Sequence, residues 1–169
     1  MRSDNGAFSG QEAGAILWQA GYGGVVEVAQ SVPSVLQVVL DTTDVRRLAE
    51  FYRELLGLVY RAGDEPPAAG QPDDRGHDWL VLHHPSGSPR VAFQQVATLR
   101  KSTWPQDEVP QQLHLDLTVP TVPDLNLQHE RALELGATLL YDRSHDEQEP
   151  LRVYADPAGH PFCIFVGGV

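Results

Sequence analysis

The chain has 169 residues, 41% of them hydrophobic and 21% charged, which suits one buried domain or two small modules sharing a core. Lys and Arg number 12 against 23 Asp and Glu, and the net charge of −11 argues against nucleic acid or an anionic membrane as partner. One cysteine excludes an internal disulfide framework, and no apolar run approaches the ~20 residues that span a bilayer, so a reducing cytoplasm is the expected compartment.

Residues 1–33 read as an N-terminal extension, with an apolar patch at Ala15-Ile16-Leu17-Trp18 and Ser9 placed to cap a short helix over 10–20. From residue 34 the pattern sharpens. VLQVVLD (35–41) predicts a strand, and DVRRLAEFYRELLGL a helix whose stripe is Val45, Leu48, Tyr52, Leu55 and Leu56. Asp44 is its N-cap and Gly57 its left-handed stop. Strands follow at 58–63, 78–84 and 90–96, separated by a polar loop and an HPSGSP turn.

The order then repeats. A strand at 113–119, a helix at 124–136 ending on Gly136, and strands at 137–143, 151–156 and 162–166 make a second β-α-β-β-β run. Module one occupies 34–98, a polar linker 99–111, and module two 112–169. The expected fold class is α+β, a duplicated unit that cannot bury its sheet alone.

Strand alternation assigns the faces. Leu113, Leu115, Leu117 and Val119 point to the helix; His114, Asp116 and Thr118 point away, towards any cavity. By the repeat, Gln37, Val39 and Asp41 hold that face in module one, and the two first strands are expected to converge across a pseudo-two-fold axis. Cys163 is the last-strand contributor in module two. Its counterpart in module one is Val91 in an ungapped repeat, or Gln94 or Gln95 if a bulge intervenes.

At VVLDTTDVRRLAEFYRELLGL, HLDLTV with its following helix and LGA, and DPAGHPF, the chain resembles the vicinal oxygen chelate superfamily, the glyoxalase/bleomycin-resistance/dioxygenase group. The resemblance covers about residues 34–168 and implies two βαβββ modules whose eight strands form a partly closed, cup-shaped mixed sheet with helices outside. Metal-dependent members place His or Gln on the first strand and Glu on the last strand of each module. Carried over, Gln37 and His114 occupy the first-strand positions, but Cys163 replaces one Glu, and RVAFQQV contains none. A divalent ion would have to accept Gln37, His114 and Cys163, without the carboxylates that neutralise it or move a substrate proton. The reading is therefore a degenerate metal site, with a divalent metal held by Gln37, His114 and Cys163 as the alternative. Cys163 itself reads as a small apolar filler, since a reactive thiolate needs a cationic neighbour.

Three functions follow from the resemblance. The first is a small-molecule-binding protein using Gln37, Val39, Gln94, Trp104, His114, Asp116 and Cys163. The second is a lyase/isomerase-type or dioxygenase-like enzyme with an atypical site around Gln37, His114, Gln94 and Cys163, His114 being the catalytic candidate. The third is a non-catalytic dimerisation or scaffold module. A small-molecule ligand and a homodimer are the expected partners, because modules of this kind pair within one chain or between two.

Among the remaining candidates, Trp104 in the linker is placed either to cover a cup or to pack the module junction. His83-His84, His145 and His160 read as surface residues, and His129 as half-buried on its helix. Arg90, Arg152 and Tyr154 are left without an assigned face.

Overall fold

A computed structural model describes residues 32–167; the helix expected at 10–20 under Ser9 lies outside the described residues. Each module follows the predicted order. Module one comprises β1 (Val38–Thr42), α1 (Val45–Leu56), β2 (Val59–Tyr60), β3 (Trp79–His83) and β4 (Arg90–Gln95). Module two comprises β5 (Leu115–Val119), α2 (Val122–Glu134), β6 (Thr138–Asp142), β7 (Leu151–Ala155) and β8 (Pro161–Val166).

The helix ends follow local chemistry. Asp44 accepts a hydrogen bond from the Arg47 N–H, and Gly57, at φ +64, lets the chain reverse out of α1. α2 begins two residues before the predicted start, because Thr121 accepts from the Asp124 N–H and Pro123 fits the first turn. β2 shrinks to Val59–Tyr60; beyond it Asp64 turns inward, accepting from the Val81 N–H and from Arg61.

The strands form two four-stranded mixed sheets, ordered β1-β4-β3-β2 and β5-β8-β7-β6, with β1/β4 and β5/β8 parallel. No backbone ladder joins the sheets and no closed barrel results. Side chains couple the modules instead. Tyr52 of α1 stacks on Phe93 of β4 at 5.8 Å and meets Phe162 of β8 at 6.4 Å, while Phe51 also contacts Phe162. The Tyr52 hydroxyl donates to the buried Asp156 carboxylate at 3.0 Å. Burial pushes the Tyr52 hydroxyl pKa well above its usual value, with Asp156 adding to the rise. One hydrophobic cluster thus includes Leu40, Phe51, Tyr52 and Phe93 together with Leu125, Tyr154, Phe162 and Ile164.

Arg152 and Tyr154 belong to this inner side. Arg152 is 7% exposed and donates to Asp142, Ser144 and the Leu125 carbonyl. Tyr154 stacks on Phe162, and its hydroxyl lies 3.0 Å from His129 Nδ1. Among the described residues no helix is long and apolar enough to cross a membrane.

Candidate functional site

The alternation read from LHLDLTV holds within β5: Leu115, Leu117 and Val119 pack on the core, whereas His114, Asp116 and Thr118 are exposed on the face turned from the helices; Leu113, expected on the inner side, precedes the strand and is 42% exposed. β8 runs parallel to β5 with Asp116 opposite Cys163, so the two side chains emerge side by side on that outer face. The Cys163 thiol donates to Asp116 Oδ1 at 2.8 Å, and His114 Nε2 lies 3.3 Å from the same oxygen. Burial, then the Asp116 carboxylate, pushes the thiol pKa up to about 12. Cys163 is therefore a protonated donor at neutral pH, neither thiolate nor simple filler.

This cluster lies in a groove of about 320 Å³ lined also by Trp104, Gln111, Glu149, Val153 and Phe165. Trp104 comes from the linker and meets the Tyr141 ring edge-on at 6.2 Å. Its segment is closed by Thr103, whose N–H donates to the Val109 carbonyl and whose Oγ1 accepts the Val109 N–H.

The module-one counterparts stand apart. The matched parallel registers equate Gln37 with His114, Val39 with Asp116 and Ala92 with Cys163. Val91 points into the core, and Gln95 turns its amide to the Thr43 carbonyl, which leaves Ala92, itself fully buried, and the exposed Gln94 on the side turned from the helix. The ungapped pointer to Val91 is thus one residue off, and no bulge is required. Gln37 is half-buried and Gln94 exposed, and neither lines the groove that holds His114 and Cys163. Val39 lines a second cavity of about 190 Å³ at the module junction.

At that junction the half-buried His160 has a specific partner. Its Nε2 lies 2.7 Å from the Asp41 carbonyl oxygen, tying the turn before β8 to β1. The turn itself is built on Asp156, whose Oδ1 accepts from the N–H groups of Ala158, Gly159 and His160. Burial raises the Asp156 carboxyl against the opposing effect of His160 and these bonds.

Do these residues fit a divalent ion? His114 and Cys163 both converge on one oxygen of Asp116 rather than around a common point, and the equivalent positions Val39 and Ala92 carry no donor. Among the described residues no group of three or more His, Cys, Asp or Glu side chains is placed to hold a metal. The donor set does not fit the ligand pattern that the resemblance implies. Phe165, sharing the parity of Cys163, was readable from the strand; Glu149 and Gln111, held on loops, carried no periodic signal.

A glyoxalase-like domain model matches residues 37–165. Solved structures similar to the chain include the fosfomycin resistance protein FosX from Mesorhizobium loti, at 14% identity, covering 82% of this chain and 96% of that one with a TM-score of 0.56. FosX from Listeria monocytogenes, complexed with Mn(II) and 1S,2S-dihydroxypropylphosphonic acid, matches at 13% identity, 82% and 95% coverage and a TM-score of 0.57. A glyoxalase/bleomycin resistance protein/dioxygenase family enzyme from Burkholderia phytofirmans PsJN matches at 17% identity, 78% and 96% coverage and a TM-score of 0.54. At these identities the structures carry the fold alone. No curated protein matches the chain in sequence.

Proposed function

The chain belongs to the glyoxalase-like domain family of the vicinal oxygen chelate superfamily, and on that premise we propose that it binds a small organic molecule without a catalytic metal. The observation carrying this reading is the outer groove of the second sheet, where Trp104, Val153 and Phe165 provide apolar walls beside the His114–Asp116–Cys163 cluster. Sites for small molecules combine such walls with a few convergent polar groups. The ligand's planar or apolar part packs on Trp104 and Phe165. A hydroxyl or carbonyl of the ligand meets Asp116 or the Cys163 S–H. The degenerate metal site is part of this reading, because Cys163 and Ala92 stand at the last-strand positions.

A homodimer is also part of it. Gln37 and Gln94 lie outside the groove that holds His114, so a second copy would be needed to bring the two first-strand positions together. Light scattering at several protein concentrations tests this, and a monomer throughout would remove the dimer from the proposal.

The main test is a thermal-shift screen of the full chain against small aromatic and oxygenated metabolites, with and without divalent ions. A ligand at a hundredfold its Kd stabilises the native state by about 2.7 kcal/mol. Ligand shifts that vanish in Trp104→Ala and do not depend on metal support the reading. Shifts that require stoichiometric metal and are lost in His114→Ala overturn it in favour of a metal-dependent site.

A further inference from the structure

The junction cavity and the outer groove adjoin, since Gln111 and Pro161 line both. One segment serves the two: the linker gives Arg100 and Lys101 to the junction cavity and Trp104 to the groove. Their charges differ. The groove carries the carboxylates Asp116 and Glu149 and no Lys or Arg, whereas the junction cavity carries two cations and a single carboxylate, Asp41.

Those two cations are neighbours in the chain. Lys101 is its only lysine, and Arg100 precedes it directly, in a protein of net charge −11. Arg46, Arg53, Arg61, Arg143 and Arg152 are each paired with a carboxylate. Arg47, Arg75, Arg90, Arg131, Arg100 and Lys101 have no ion-pair partner among the described residues, and of these only Arg100 and Lys101 line either cavity. With 23 carboxylates available, adjacent uncommitted cations beside a cavity point to a negative charge supplied from outside.

Lys101, though exposed, packs on the turn before β8. Its stem lies on Gly159, where an added Cβ would come within 2.5 Å of Lys101 Cγ; the residue sits at φ +101, a conformation glycine adopts readily. The turn beneath is locked by Asp156, and His160 is tied to β1, so the cavity floor does not depend on a ligand to form.

We propose that the two cavities are one site for an amphipathic small-molecule anion, its apolar body against Trp104 and Phe165 and its anionic group held by Arg100 and Lys101. The inference rests on the reading of the groove as a small-molecule site and adds the class of ligand. A neutral apolar compound would fill only the groove.

Fluorescence titration of the full chain with two probes separates the two claims: 1-anilinonaphthalene-8-sulfonate, and N-phenyl-1-naphthylamine, which has the same rings without the sulfonate. Trp104→Ala is expected to weaken both probes. Arg100→Gln/Lys101→Gln is expected to weaken the sulfonate about tenfold, the effect of one charge-assisted contact, and to leave the neutral probe unchanged. Arg75→Gln/Arg90→Gln, which alters net charge equally at positions that line neither cavity, controls for long-range attraction. If neither probe binds, or Trp104→Ala affects neither, the groove reading itself fails. If Trp104→Ala weakens both, but the Arg100/Lys101 variant weakens the sulfonate no more than the control does, the anion inference fails and the groove reading stands.

Discussion

The two modules share element order and strand register, yet they divide the work of the molecule unequally. In module one, six residues of α1 are buried, and Tyr52 reaches the aromatic core of both sheets. In module two only Leu125 and Ala132 of α2 are buried, while Leu127 is 58% exposed and Leu133 39%. The outer faces reverse the contrast: Val39 and Ala92 carry no polar side-chain atom, and their equivalents Asp116 and Cys163 are hydrogen-bonded to each other. A duplicated frame fixes where side chains emerge, and each copy then fills those positions for a different purpose. One copy supplies the wedge that holds the modules together; the other presents the polar cluster on its outer face.

The sharpest test of this division is cavity formation. Phe162→Ala or Phe93→Ala removes a ring stacked on or against Tyr52 and is expected to cost about 3–5 kcal/mol in urea unfolding. Leu127→Ala on α2 should stay within about 0.5 kcal/mol. Equal losses at Phe93 and Leu127 would break the comparison.

Next in size is the bond between modules. Asp156→Ala leaves the Tyr52 hydroxyl and the N–H groups of Ala158 and His160 without their acceptor, while the Gly159 N–H keeps the backbone carbonyl of residue 156, an expected loss of about 1–3 kcal/mol. Tyr52→Phe removes only one donor and should cost less. Gly159→Ala imposes a side chain at φ +101 and pushes on Lys101, with an expected cost of about 1–3 kcal/mol. Differential unfolding curves would rank the three, and a neutral Gly159→Ala would show that the linker is not seated on the turn.

A smaller effect concerns acid. Burial alone would raise the Asp142 carboxyl, but bonds from Ser144 and the Arg152 guanidinium outweigh it and hold its pKa at about 2. A carboxyl lowered from 3.8 stabilises the fold above about pH 4, and that contribution is lost as pH falls towards 2. Asp142→Asn should flatten stability over that interval; an unchanged acid limb would rule out the pair as its source.

The least disruptive probe is alkylation of Cys163. With its thiol pKa near 12, the wild type should react slowly with iodoacetamide at pH 8. Asp116→Asn removes the carboxylate that favours the protonated thiol, and the thiolate fraction should rise about tenfold for each unit that the thiol pKa falls. A rate unaltered by Asp116→Asn would mean that burial alone governs the thiol.

Much of this was legible in the chain itself. Period-2 alternation in 113–119, the 3.6-residue stripe under Asp44 and Gly57, and the repeated β-α-β-β-β order determined the elements, their inner and outer faces and the place of Cys163 on β8. These signals are local, set by how successive Cβ atoms project from a strand or helix. What local spacing does not contain is which surfaces meet. Tertiary structure decided that Tyr52 would reach Asp156, 104 residues away, and that His160 would bind the Asp41 carbonyl. It brought Cys163 to Asp116 across a parallel ladder, and it separated Gln37 and Gln94 from the groove that the repeat had led us to expect them to share. Parallel pairing and aromatic packing act between residues far apart in sequence, so neither can be read from the spacing of neighbouring side chains.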